Sequence, residues 1–384
     1  MLSIRATLKR DDHETILNMP CNDYDIDTAM QNIGEADMTN TTQFVSQMDS
    51  NIRELSVLQD RFINVDELNF LAKRLDSFSK KELNQFRAAM VVVKPVELKD
   101  MINLTYNLHN YTLISDFSNM DAVGKTHFLN VEGAIATNQE PSIDYRAIGE
   151  DLLSTGGTTT QYGVLFQNGI HMEEIYDGQV FPNFLYECCV FAPTIGYAGK
   201  TETLYMPCTR TSIEKAVHRL GAPGMNECSL ENLDALPIAP DWLAEICPNY
   251  DNADVYGLNK LSAVITDFEP EDYSKLVAIC SYAEIEDFEK AALLAENIDS
   301  FEFVPYVDDY ELLGRYLIRA TDSYLYDENL DDYYDFEKLG EDTADNQRGE
   351  FTVYGYVGIK DNIEISEIIG QSDEMTNSIR MEGM

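Results

Sequence analysis

Between Glu296 and Glu350 the sequence holds 17 acidic and four basic residues in 55. Asp308-Asp309, Glu311, Asp322, Asp327-Glu328, Asp331-Asp332, Asp335, Glu337 and Glu341-Asp342 alternate there with Tyr310, Tyr316, Tyr324, Tyr326, Tyr333, Tyr334 and Phe336. Carboxylates at this density offer two chemistries, cation binding and the display of a phosphate-like charge array. Interleaved aromatics anchor the backbone, so the charges are held at fixed spacing, as a phosphate mimic requires and an acidic tail lacks. Specific calcium binding is not encoded. Asp23-Tyr-Asp-Ile-Asp27 opens like a calcium loop, but Thr28 replaces the required Gly and the twelfth position is Gly34. The window from Asp327 to Lys338 fails likewise, at Asp332 and Lys338.

Other chemistries are poorly supplied. Gly221-Ala-Pro-Gly-Met-Asn226 lacks the Gly-Lys-Ser/Thr of a phosphate-binding loop and reads as a turn; Gly124-Lys125-Thr126 has no upstream Gly at the needed spacing and reads as structural. His13, His109, His127, His171 and His218 are scattered, without metalloprotease or serine-hydrolase signatures. Cys21, Cys188, Cys189, Cys208, Cys228, Cys247 and Cys280 form no C-x-x-C and read as free thiols. Close carboxylate pairs arise by chance among 68 acids and single out no glycosidase-type site. The expectation is a protein without metal, cofactor or catalysis.

Lys and Arg total 27, so the formal charge is 27 − 68 = −41. Direct nucleic-acid binding is excluded, because it needs a basic face to replace phosphate counterions. With 44% apolar and 10% aromatic residues the chain can still bury sizeable cores. No run of about 18 apolar residues occurs, and the N-terminus lacks a signal-peptide pattern, so the expectation is a soluble, cytoplasmic protein that engages no membrane. Spread evenly over about 15,000 Å², the charge amounts to roughly one per 370 Å², against about one per 100 Å² on duplex DNA. Mimicry therefore needs the acids gathered on a face. Residues 1–205 carry 29 acids and 15 bases (−14), whereas 206–384 carry 39 and 12 (−27).

The elements that must position these acids repeat along the chain. Met19-Pro-Cys recurs as Met206-Pro-Cys, Leu68-Asn69 as Leu258-Asn259, Asn107 as Asn297, Gly149-Glu-Asp151 as Gly340-Glu-Asp342, and Thr160-Gln-Tyr-Gly163 as Thr352-Val-Tyr-Gly355, at offsets of 187 to 192. Two tandem copies are expected, 1–200 and 201–370, with a loose polar tail at 371–384. Each centres on a helical bundle, about 60–110 and 256–298. Leu68, Leu71, Ala72 and Leu75 mark one helix face, Ser79-Lys-Lys-Glu82 a capping box, and Pro95 the start of a third helix. In the second copy Pro270 leads one helix and Ser281-Tyr-Ala-Glu284 is expected to cap the next. Thr-rich runs at 158–166 and 350–357 read as strands. The fold class is α+β, each copy a small α/β lead-in, a bundle and a strand-rich C-terminal part.

At Asp144-Tyr145 with Gly149-Glu-Asp151, and at Asp335-Phe336 with Gly340-Glu-Asp342, the sequence resembles the ArdA antirestriction family. Leu68-Asn69, Leu258-Asn259 and Asp309-Tyr-Glu-Leu-Leu-Gly-Arg-Tyr316 also resemble family features. The likeness spans about 60–165 and 250–358, with Glu150 and Glu341 where the family usually has Arg. Family members are often one short copy that dimerises, so a tandem chain can stand in for a dimer or form a homodimer itself. The resemblance implies an elongated, acidic DNA mimic that blocks the basic DNA-binding cleft of type I restriction-modification enzymes, with Asp144, Glu150 and Asp151 joining the acids named above as the partner-binding face. The sequence is also compatible with two alternatives. One is a mimic aimed at another nucleic-acid-binding defence protein, such as a CRISPR effector; the other is a non-inhibitory acidic interaction protein.

Overall fold

The computed structural model describes residues 2–136, 140–169, 171–235, 246, 254–320, 324–360 and 363–370. It is a mixed α+β structure of two compact units. The first is the chain up to Tyr186 together with Thr211–Met225; the second is Glu187–Arg210 together with the described residues from Asn226 onward. Among the described residues no helix is long and apolar enough to cross a membrane.

In the first unit β1 (Ile4–Arg10) and β2 (His13–Met19) form a hairpin, closed at Arg10 opposite His13. Strand alternation turns Ile4, Ala6 and Leu8 into the core. β3 (Thr42–Ser50) pairs with β1 and with β4 (Arg61–Asn64), giving the order β2-β1-β3-β4. Helix α1 (Asp23–Asn32) starts at Asn22, whose side chain accepts the Asp25 N–H, and buries Ile26, Ala29 and Met30. The bundle follows as α2 (Val65–Asp76), α3 (Lys80–Val93) and α4 (Leu98–Tyr106). Leu68, Leu71, Ala72 and Leu75 are buried as their spacing requires. Ser79 and Glu82 close the expected capping box through reciprocal bonds of 3.3 and 2.8 Å. Asn69 ties bundle to lead-in: its Oδ1 accepts the Cys21 N–H (3.0 Å) and its Nδ2 donates to the Cys21 carbonyl (2.9 Å).

The C-terminal part of this unit is β5 (Tyr111–Ile114), α5 (Met120–Glu132), α6 (Tyr145–Ser154), β6 (Thr158–Thr160) and β7 (Gly163–Gln167), with sheet order β5-β7-β6. The strand-rich expectation is thus corrected, since the two helices contain 13 and 10 residues and the strands four, three and five. The helical signal is weak because glycines occupy the inward face. A Cβ on Gly124 would lie 1.7 Å from the Tyr145 carbonyl oxygen, and one on Gly149 would lie 2.6 Å from that of Met120. The two helices touch backbone to backbone where a periodicity search looks for large apolar residues.

The second unit follows a similar order of elements, but the helix after its first hairpin belongs to the first unit. β8 (Phe191–Tyr197), β9 (Lys200–Thr203) and β10 (Ser229–Ala235) form a sheet of order β10-β8-β9. Helix α7 (Arg210–Leu220) lies between β9 and β10 in sequence. The bundle is α8 (Val255–Ile265), α9 (Pro270–Tyr282) and α10 (Phe288–Glu296). Ser281 falls in the last turn of α9, and the α10 cap is instead Asp287, which accepts the Lys290 N–H at 2.8 Å. Then come β11 (Phe301–Pro305), α11 (Tyr310–Ala320), α12 (Phe336–Gln347), β12 (Glu350–Thr352) and β13 (Gly355–Ile359), in sheet order β11-β13-β12. Asn259 bonds the Cys208 N–H and carbonyl at 2.9 and 2.8 Å, as Asn69 does Cys21. Thr352 Oγ1 donates to the Gly355 carbonyl at 2.9 Å, as Thr160 does to Gly163 at 2.8 Å.

Helices α11 and α12 cross through Gly314 and Gly340. A Cβ on either would sit 1.9 Å from a carbonyl oxygen of the facing helix, Phe336 or Tyr310 respectively. Gly314→Ala is therefore expected to lower the stability of the second unit by about 2–3 kcal/mol, the upper range for overpacking. Denaturant unfolding followed by amide exchange in α12 measures it, and a loss below about 0.5 kcal/mol would contradict the close crossing.

The boundary expected between 200 and 201 falls inside the β8–β9 hairpin, where Tyr197 pairs with Lys200. Pro193 and Gly196 make that strand read as loop in sequence. Residues 211–225, most of them in α7, belong to the first unit. There Lys215, only 4% exposed, lies 3.1 Å from Asp66 Oδ1 and 3.8 Å from Asp27 Oδ1. Arg219 reaches Asp66 Oδ2 at 3.4 Å, and Ser212 donates to Asp23 at 2.6 Å.

Candidate functional site

The acid-rich segment folds as α11, a 3-10 turn at Glu328–Tyr333, and α12. From Asp308 to Asp345 there are 13 acids and three bases in sequence, a net 3 − 13 = −10. The named acids divide by what their carboxylates do. Asp309 accepts the Leu312 N–H (2.7 Å) at the start of α11, Asp335 the Lys338 N–H (3.1 Å) at the start of α12, and Asp327 the Asn329 N–H (2.9 Å) at the turn. These are helix-start caps that also place negative charge at the positive end of each dipole. Asp308, Glu328, Asp332, Glu337, Glu341 and Asp342 are exposed, and their carboxylates have no side-chain partner among the described residues. Asp322 lies outside the described residues.

Asp331 differs from the exposed charge expected of it. It is partly buried and accepts from Tyr326 Oη (2.6 Å), Arg319 Nη2 (3.0 Å) and Arg315 Nη1 (3.1 Å). Glu311 is likewise paired, accepting from Arg315 Nη2 at 2.8 Å. Arg315 stacks 4.2 Å over the Phe336 ring, and Phe336, Tyr334 and Tyr326 follow one another with centroids 5.7 and 5.4 Å apart. The Asp327 N–H also donates to the Tyr334 hydroxyl at 3.1 Å. Tyr326 is one of the anchoring aromatics read from the sequence, whereas Arg315 and Arg319 were given no site role there; their i, i+4 spacing on a helix just before an acidic turn is the signal that could have found them. They fix the turn so that Glu328 and Asp332 are displayed from a held backbone.

The Tyr326 hydroxyl first, then Arg319 and Arg315, hold the Asp331 carboxyl down to about 2. An unfolded Asp titrates near 3.9. A lowered carboxyl stabilises the fold fully above its unfolded value and loses that contribution as pH falls through its folded one. The clasp should therefore survive at pH 3 and release near pH 2. Tyr326 ring resonances during an acid titration report this, and release centred near pH 4 would contradict it.

On α12, Glu337, Glu341 and Asp345 are spaced i, i+4, i+8, about 6 Å apart along the axis. One DNA strand places a phosphate every 3.4 Å of axis. A single stripe therefore gives a little over half of one strand's density, and Asp342, Glu328 and Asp332 must supply the rest. The same helix pair in the first unit is sparser. Asp144 caps α6 through the Ala147 N–H (3.0 Å), Glu150 pairs with Arg146 (3.1 Å), and of the three only Asp151 is exposed without a side-chain hydrogen bond or ion pair among the described residues.

Among the described residues no group of three His, Cys, Asp or Glu side chains is placed to hold a metal ion. The nearest approach to an activated hydroxyl is Thr112 Oγ1, 2.8 Å from His127 Nδ1 and 3.1 Å from Asn168 Oδ1. Thr112 is only 1% exposed, and burial pushes the His127 imidazole down. The group acts as a strut between β5, α5 and the residue after β7. Compared with known protein families and with curated proteins, the chain matches none.

Proposed function

We propose that this chain is a tandem ArdA-like antirestriction protein, a DNA mimic that blocks the basic DNA-binding cleft of type I restriction-modification enzymes. It acts by occupancy, without catalysis or cofactor, and both units derive from one duplicated domain. The observation that carries the reading is the acid-rich α11–turn–α12 segment of the second unit, with six exposed carboxylates that have no side-chain partner among the described residues, on a scaffold clamped by Arg315, Arg319 and the Tyr326–Tyr334–Phe336 stack. Rigid display matters because charges fixed before binding incur little ordering entropy when the partner arrives. The recurrent glycine crossings and the paired Asn–Cys contacts support the duplication.

The test is restriction itself. Purified chain at stoichiometric amounts should stop a type I enzyme from methylating and cleaving unmodified plasmid, and added duplex should relieve the block. Undiminished cleavage at tenfold excess would overturn the type I target. A CRISPR effector nuclease assayed in parallel then separates a different DNA-competitive target from a non-inhibitory acidic protein.

A further inference from the structure

The lead-in sheet of the first unit bears a cleft of about 470 Å³, within the size range of small-molecule sites. Its floor is a buried carboxylate. Glu35, 3% exposed at the side chain, forms an ion pair with Arg10 and accepts from Gln43 Nε2 (2.8 Å), Asn40 Nδ2 (2.9 Å) and the Asp37 N–H (3.1 Å). Its wall is aromatic. Lys9 lies opposite Phe44, and Phe44 opposite Phe62, in adjacent strands, so the three side chains share one face. The two rings are 5.3 Å apart, and Phe62 is 70% exposed.

The corresponding positions about 187 residues on show that the fold does not need this constellation. β8 and β9 repeat the hairpin of β1 and β2, closing Tyr197 against Lys200 as Arg10 closes against His13. Gly196 and Tyr197 stand where the first unit has Lys9 and Arg10, and Ala222 stands in place of Glu35; its N–H bonds the Val217 carbonyl as that of Glu35 bonds Met30. In the register of the sheet, Ser229 faces Gly196 where Phe44 faces Lys9. An ion pair whose cation is 40% exposed adds little stability, and an exposed phenyl in a cross-strand pair adds at most about 1 kcal/mol. The first unit keeps both.

Hydrogen-bond accounting sets the ligand's sign. The Glu35 acceptors are filled, whereas Arg10 is engaged only through Nη1 and the Lys9 ammonium has no partner among the described residues. Asp11 and Glu35 offset the two cations in total charge, so recognition rests on these spare donors and suits a single negative group. We propose that the cleft binds a small aromatic anion, its ring against Phe62 and Phe44 and its carboxylate or phosphate on Lys9 and Arg10.

The test titrates the full chain with 1-naphthoate, adenosine monophosphate and inorganic phosphate, followed by calorimetry and by amide shifts in β1 and β4. At least one aromatic anion should saturate at millimolar concentration, with naphthoate alone identifying a carboxylate ligand and the nucleotide alone a phosphate one. Lys9→Ala and Phe62→Ala, both at exposed positions that leave the fold intact, should each weaken it roughly tenfold. Inorganic phosphate should bind at least tenfold more weakly than the preferred aromatic anion. Absence of saturation by either aromatic anion, equal binding of inorganic phosphate, or affinities unmoved by both variants would overturn the site.

Discussion

Replacing Asp308, Glu328, Asp332, Glu337, Glu341 and Asp342 together by Asn and Gln is expected to weaken binding to a type I methyltransferase complex by roughly 10²–10⁴-fold. Each is exposed and lacks a side-chain partner among the described residues, so each is available to a basic cleft. An exposed ion pair contributes up to about 1 kcal/mol, and six of them, of which Glu337, Glu341 and Asp342 are close neighbours on α12, total about 3–6 kcal/mol at most. Folding should be unaffected or slightly improved, because like charges gathered in one segment repel one another. Circular dichroism and a thermal melt establish that the variant is folded, and calorimetry against the methyltransferase measures the loss. A change below threefold would remove this face from the interface.

Lys215→Met should cost the first unit about 3–5 kcal/mol. Lys215 Nζ is the cation between Asp66 and Asp27, and the Asp27 Oδ1 it approaches has no hydrogen-bond partner among the described residues. Removing it leaves Asp27 uncompensated and Asp66 with Arg219 alone at 3.4 Å. A buried pair broken on one side costs far more than a pair replaced on both. Lys215→Met combined with Asp66→Asn and Asp27→Asn should therefore recover most of the loss. Amide exchange in α2 during denaturant unfolding reads the first unit by itself, which a global melt of a two-unit chain does not. A single-variant loss below about 1 kcal/mol, or no recovery in the triple variant, would contradict the ion cluster.

What the sequence made legible was local. Leu68, Leu71, Ala72 and Leu75 give their helix away because period and burial coincide, and Ser79 with Glu82 form a cap three residues apart. Ser281 failed as a cap because α9 runs on through it, and a helix end cannot be read from a polar residue when the preceding stripe continues. The paired helices at Gly124 and Gly314 were hidden because a glycine crossing has meaning only once the facing carbonyl is in place. Among the candidate acids, sequence gave the segment but not the division of labour. Asp331 and Glu311 read like their neighbours, and only folding brings Arg315 and Arg319 onto them. Lys215 meets Asp66 across 149 positions, a separation over which pattern carries no information.

The chain and DNA are expected to exclude one another from the same basic cleft. This exclusion is tested most directly by titrating the protein into a type I methyltransferase complex preloaded with labelled duplex, at several salt concentrations. DNA mimicry predicts stoichiometric release of duplex, no ternary complex, and an affinity that falls steeply as salt rises, because binding releases the counterions of the cleft. A ternary complex that retains duplex, or binding indifferent to salt, would contradict it.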